Sequence, residues 1–153
     1  MAGPWLLEDE RIGLLESRPG VYVLGRERSG TFSGIYVGRA DVELRRRLAE
    51  HLPGREGNPF IRIHAPDRFC FEYTASASAA YRLECTLFHA ARYPANLFHP
   101  DPGLHMDWEC PVCGGGASRV REPIPGYAAA RWPAASTAFN GAPIPQSAFR
   151  NPK

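Results

Sequence analysis

A chain of 153 residues fits one ordinary domain, with roughly forty residues left over for a tail or appendage. Its 44% hydrophobic content and its aromatics (8 Phe, 6 Tyr, 3 Trp) suffice for a packed core, and a net charge of +2 excludes a strongly polycationic or polyanionic protein. No apolar run approaches a membrane span and no basic-then-apolar leader opens the chain, so no membrane partner is expected and a cytoplasmic location is the default. The basic residues are lopsided in kind: Lys153 is the one lysine among 18 cations. Arginine's planar donor fork suits phosphate, although a GC-rich coding sequence enriches Arg, Ala, Gly and Pro alike.

Residues 4–16 read as a short amphipathic helix or turn, and Pro19-Gly20 then punctuates the chain. Val21-Tyr22-Val23-Leu24 is short and β-rich, which predicts a strand. Residues 25–33 are charged and carry the turn signal Ser29-Gly30. Gly34-Ile35-Tyr36-Val37-Gly38 then forms the second strand of an antiparallel hairpin. Asp41 is placed to cap a helix running to about His51, on which Leu44, Leu48 and Leu52 recur every four residues until Pro53-Gly54. Residues 54–68 read as irregular, and Phe69-Cys70-Phe71-Glu72-Tyr73 as a third strand. Ser76 or Ser78 caps a second helix, stopped after about Tyr93 by Pro94. From Asn96 the chain is loop-like, and residues 123–153 hold six prolines and few large aliphatics.

Only a loop joins the first two strands, which a parallel pairing does not allow. The expected fold class is therefore α+β: a small antiparallel three-stranded sheet flanked by helices, with a loop-rich C-terminal extension. The expected domains are the folded unit over 1–98, a Cys-x-x-Cys extension over 99–122, and an extended Pro/Ala/Gly-rich tail over 123–153.

Strand alternation turns Tyr22 away from Val21 and Val23, and Tyr36 away from Ile35 and Val37, so both tyrosines can emerge on one face of the hairpin. Taken alone they would pass as half-buried core residues. Arg45, Arg46 and Arg47 cannot all face one way on a helix, whose residues turn about 100° each. Arg47 lies nearest the buried seam, while Arg45 and Arg46 read as a solvated face. Glu84 sits within the apolar stripe Ala80, Leu83, Leu87, Phe88 and Ala91. A carboxylate there needs an Arg, a Lys or a metal, so a structural salt bridge and a functional role are the two readings.

Together these residues resemble the GIY-YIG endonuclease superfamily over about half the chain, from Pro19 to His99. Gly20-Val21-Tyr22 and Tyr36-Val37-Gly38 stand where the two signature triplets belong. Arg39-Ala40-Asp41 and the run from Leu44 to His51 look like the helix that follows. Leu83-Glu84-Cys85 looks like the later helix with its metal-binding Glu, and Pro94-Ala95-Asn96 like the turn after it. The resemblance implies a metal-dependent endonuclease hydrolysing phosphodiester bonds in nucleic acid, with DNA the expected substrate. It implies Tyr22 and Tyr36 as active-site tyrosines, with Tyr22 as base or relay and Tyr36 as its orienting partner, an assignment that could be reversed. It implies Arg47 as the phosphate contact, Glu84 as the ligand of Mg²⁺ or Mn²⁺, and His51 and Asn96 in support, with Arg39, Arg45 and Arg46 gripping nucleic acid. One extra residue precedes the Arg-Leu pair, which keeps Arg46 as a substitute for Arg47.

A single carboxylate suffices for Mg²⁺, which keeps several waters and takes further oxygens from the substrate. The metal then relieves charge on the leaving oxygen. A tyrosine near pKa 10 serves as base only where Arg or metal charge favours the phenolate. The competing expectation is a non-catalytic nucleic-acid-binding or adaptor module on the same scaffold, and a separate protein partner is a possible source of target specificity.

Cys70 and Cys85 read as buried thiols. Trp108-Glu109-Cys110-Pro111-Val112-Cys113-Gly114 resembles a zinc knuckle, which needs two further ligands. His99 and His105 are the candidates, then His89; a dimer sharing two pairs, a redox pair and unligated thiols are the alternatives. His64 has no evident partner and reads as a surface residue.

Overall fold

The computed structural model describes residues 1–104 and 106–115, together with the backbone of 131–133. Along the chain come β1 (Ala2–Leu6), α1 (Asp9–Gly13), β2 (Gly20–Arg28), β3 (Thr31–Ala40), α2 (Leu44–Ala49), α3 (Pro59–His64), β4 (Arg68–Tyr73), α4 (Ala77–Ala90) and β5 (Arg131–Pro133). The expected α+β class holds, but the expected count of three strands does not. Four antiparallel strands lie in the order β1-β4-β2-β3, and the three-residue β5 adds beside residues 31–33 of β3.

β1 replaces the start of the helix expected over 4–16, which shrinks to α1 around the buried Ile12. Gly3-Pro4 disguises the strand in the sequence. It is tolerated because, among the described residues, β1 is an edge strand pairing with β4 alone, its register slipping between Ala2 and Trp5. The hairpin also runs longer than expected, because Arg26, Glu27 and Arg28 stay in the ladder opposite Ser33, Phe32 and Thr31. Its turn residues Ser29 and Gly30 have φ of 50° and 72°, the left-handed pair that a tight hairpin turn requires. A bulge between Leu24 and Gly25 leaves Ile35 as the extra residue. Ile35 therefore joins the core cluster of Tyr22 instead of facing away from Tyr36, which corrects the simple alternation.

Within the stretch expected to be irregular, α3 forms because Asn58 accepts a hydrogen bond from the Phe60 N–H at 2.9 Å and Pro59 opens the helix. Asp41 does not cap α2; Glu43 occupies that position, and Asp41 instead pairs with Arg39. Ser76 caps α4 by accepting from the Ala79 N–H at 3.1 Å.

Helices cover both faces of the sheet. On one face Tyr22, Leu24, Phe69 and Phe71 meet Ile12, Leu44, Leu48 and Ile61 from the first three helices. Leu44 and Leu48 are fully buried, and removal from water stabilises each by roughly 2 kcal/mol. On the other face Val21, Val23, Val37 and Cys70 meet Ala80, Leu87 and Phe88 of α4. A second side of α4 is also covered, because Tyr81 and Cys85 pack against Cys110, Trp108 and Cys113, while Arg82 and Ala90 stay exposed. Glu84 is thus enclosed from two directions. No helix among the described residues is long and apolar enough to cross a membrane.

Candidate active site

Tyr22 pairs across the hairpin with Gly38, and Tyr36 with Leu24, which sets both tyrosines on one face with ring centroids 6.2 Å apart. The glycines of the two triplets are explained by space. A Cβ on Gly38 would lie 2.6 Å from Tyr22 Oη and 2.7 Å from Tyr36 Cε1; one on Gly20 would lie 2.6 Å from the Glu72 carbonyl oxygen. Only glycine lets the tyrosines cross the strand at that point.

His51, at the end of the α2 turn, stands 5.2 Å from Tyr22 and 5.8 Å from Tyr36, ring to ring. Its Nε2 is 2.6 Å from Tyr22 Oη, its Nδ1 2.5 Å from Glu56 Oε2, and the other Glu56 oxygen accepts from the Asn58 N–H at 2.6 Å. Burial lowers the His51 pKa against the opposing pull of Glu56, which favours a neutral ring. Nδ1–H then donates to Glu56, and Nε2 accepts the Tyr22 O–H. Tyr22, His51 and Glu56 form a hydrogen-bonded Tyr–His–Glu chain. Glu56 escaped sequence reasoning because it lies in a stretch with no periodicity.

Burial raises the Tyr22 pKa well above its ordinary value, and Tyr36 adds to this; Arg47 pulls the other way. Tyr36 is raised too, by burial and then Glu84, again against Arg47. Of the three helical arginines, Arg47 is thus the one beside both hydroxyls, while its exposed guanidinium also pairs with Glu50. Arg45 is exposed and held by Glu43 at 2.8 Å, and Arg46 is exposed.

Glu84 approaches from the opposite face of β3. Its side chain is 8% exposed, and Oε2 accepts from Arg39 Nη1 at 2.7 Å. Burial lifts its carboxyl to about 7, although Arg39 favours the charged form. Arg39 was expected to grip nucleic acid. The structure instead gives it Glu84, Asp41 at 2.7 Å, the Pro102 carbonyl at 3.2 Å and the face of Tyr81. The strand rule explains this: Arg39 follows Gly38, so its side chain leaves on the α4 side. Asn96 supports the site through the backbone, donating to the Val37 carbonyl at 2.9 Å and accepting the Val37 N–H at 2.8 Å.

Tyr22, Tyr36, His51 and Arg47 therefore gather on one side of β3, while Glu84 lies on its α4 side, near enough to influence both tyrosine hydroxyls. Elsewhere, His89, His99, Cys110 and Cys113 bring one ligand atom each within 4.8 Å of one another, a donor set that could hold a metal such as zinc. His105 lies outside the described residues, as does most of the 123–153 tail. Cys70 and Cys85 are buried free thiols, as expected. A separate groove of about 280 Å³ is lined by Arg26, Arg28, Ser33, Ile35, Ile63 and His64 and takes in none of the clustered residues. No family model, curated protein or solved structure matches this chain. The resemblance stands on the residues themselves.

Proposed function

We propose that the chain is a metal-dependent endonuclease that hydrolyses phosphodiester bonds in nucleic acid, DNA being the first substrate to test. One observation carries this reading: the Tyr22 and Tyr36 rings stand 6.2 Å apart against His51, with Arg47 beside both hydroxyls and the buried Glu84 carboxyl near enough across β3 to raise both tyrosines. A core that merely needed filling has no use for that set.

Glu84 is the residue that would hold Mg²⁺ or Mn²⁺. A lone carboxylate fits an ion that keeps its own waters and takes oxygens from the phosphate, and the bound ion supplies Lewis-acid relief at the leaving oxygen. Arg47 stabilises charge gathering on the phosphate. Tyr22 passes its proton to His51 Nε2 while its oxygen accepts one from the attacking water, and Glu56 steadies the imidazolium that results. Tyr22 is fully buried in the free protein, so this step requires Tyr36 and Arg47 to part around the phosphate. The raised Tyr22 pKa supports a relay over a standing phenolate.

The Arg39–Glu84 ion pair favours a second reading, in which Glu84 is structural and the scaffold is a non-catalytic nucleic-acid-binding or adaptor module. Incubation with supercoiled and linear DNA and with RNA, in Mg²⁺ or Mn²⁺, separates the two. Cutting by the wild type that is lost in Glu84→Gln and Arg47→Ala is the expected result. Unchanged cutting by both variants removes this site, and no cutting of any nucleic acid selects the second reading.

A further inference from the structure

We propose that His89, His99, Cys110 and Cys113 form a closed four-ligand zinc site that staples the segment after Asn96 onto α4. His89 Nε2 and His99 Nε2 stand 3.2 Å apart, and Cys113 Sγ is 3.5 Å from the same His99 nitrogen. A tetrahedron built on zinc–nitrogen bonds of ~2.0–2.1 Å and zinc–sulfur bonds of ~2.3 Å has edges of roughly 3.4–3.7 Å. Two edges are already close to that length, and all four ligand atoms lie within 4.8 Å of one another.

Hydrogen bonding alone accounts poorly for this arrangement. His99 Nδ1 lies 2.9 Å from the Pro100 carbonyl oxygen and donates to it, which leaves Nε2 a single in-plane lone pair. With that ring neutral, the His89 ring and the Cys113 thiol would both have to donate into the one lone pair. A cation at the centre resolves the conflict, and the Nδ1–carbonyl bond is the usual outer partner of a metal-bound histidine. The Cys110 turn is shaped for a thiolate: the Val112 N–H reaches Cys110 Sγ at 3.4 Å, while the Gly114 N–H closes the turn on the Cys110 carbonyl at 2.9 Å. His99 and Cys110 are 5% and 3% exposed, and four protein ligands leave no coordination position for water or substrate. The site is therefore structural.

The staple bears on the candidate active site. His89 lies on the helix that carries Glu84, and Pro102, three residues after His99, accepts from Arg39 Nη2. Arg39 in turn holds Glu84, so the metal would fix both the helix and the strap that orient this pair. The effect on cleavage rests on the nuclease reading; the metal site does not.

The test uses the full chain. Metal analysis is expected to find one zinc per molecule, and cobalt substitution to give intense tetrahedral d–d bands with thiolate charge-transfer bands. Cys110→Ser and His89→Ala are expected to lose the metal. Cys85→Ala, which alters the buried thiol beside Cys110 outside the quartet, is expected to keep it. Hydrogen exchange at amides 99–113 is expected to slow at least tenfold in the zinc-loaded form. A wild type that takes up no zinc, an octahedral cobalt spectrum, or retention of zinc by both ligand variants overturns the site. Equal exchange in both forms overturns the staple. Should the ligand variants not fold, the wild-type cobalt spectrum still decides the site. Absence of cleavage by zinc-loaded protein counts against the nuclease reading alone.

Discussion

Replacing Arg39 with leucine removes the cation that holds Glu84, and the size of the loss can be worked from the site. Breaking a buried ion pair ordinarily costs about 3–5 kcal/mol, because one charge is left stranded in the interior. Here a proton offers an escape, since the Glu84 carboxyl sits at about 7 even with Arg39 beside it. At pH 8, protonating it costs only about 1.4 kcal/mol. The charge-dependent part of the loss is therefore capped near 1.4 kcal/mol at pH 8, about 0.4 kcal/mol at pH 7, and almost nothing at pH 6. Any loss remaining at pH 6 belongs to the guanidinium's contacts with Asp41, Tyr81 and the Pro102 carbonyl. The direction follows from linkage: a carboxyl raised in the folded state stabilises fully below its ordinary 4.5, and that contribution fades as pH rises to about 7. Without Arg39 the fading continues above pH 7, where the wild type has levelled. Urea denaturation at pH 6, 7 and 8 without added divalent metal, on wild type, Arg39→Leu, Glu84→Gln and the double variant, measures this. Equal losses at pH 6 and 8 would refute the reasoning, as would a pH-dependent loss that survives in the Glu84→Gln background.

Tyr22→Phe strands the buried His51 Nε2 and is expected to cost about 1–3 kcal/mol in chemical denaturation. If the relay operates, the same change lowers the single-turnover cleavage rate by about a hundredfold or more, and a rate within threefold of wild type would exclude it. Gly38→Ala drives a methyl group into Tyr22 and Tyr36 and is expected to destabilise by roughly 1–3 kcal/mol with loss of cleavage; an unshifted melting temperature would show that the tyrosines yield freely. Asn96→Ala leaves the Val37 N–H and carbonyl unmatched and is expected to cost about 2 kcal/mol, with Asn96→Asp, which keeps only an acceptor, also less stable than wild type by urea titration.

The hairpin, the Leu44 and Leu48 seam and the capped α4 were legible because each rests on local periodicity and turn chemistry. Glu84 was legible as a buried carboxylate in want of a partner, but its partner was not. Arg39 is 45 residues away and reaches Glu84 only because β3 lies under α4. Glu56 and α3 were hidden for a similar reason, a six-residue helix being too short to show a period. β1 was masked by Gly3-Pro4, which falls at the register slip between Ala2, paired with Phe71, and Trp5, paired with Phe69. The glycines of both triplets could be seen but not explained, since the atoms that exclude a side chain come from neighbouring strands and from the tyrosines themselves.

The double hydrogen bond from Asn96 to Val37 also governs how copies of the molecule meet. Among the described residues the ten-residue β3 is paired on its outer side over residues 31–33, and an edge left open beyond them would offer amides and carbonyls to any extended chain. Asn96 occupies the Val37 pair and the Ala95 N–H takes the Ile35 carbonyl, so both rungs are filled by a turn that cannot propagate a ladder. At these two rungs the edge is closed to β-strand recruitment. A sheet margin capped in this way offers a second chain no free rung at Ile35 or Val37, so the two residues that hold the strand's backbone in place also limit edge-to-edge pairing there.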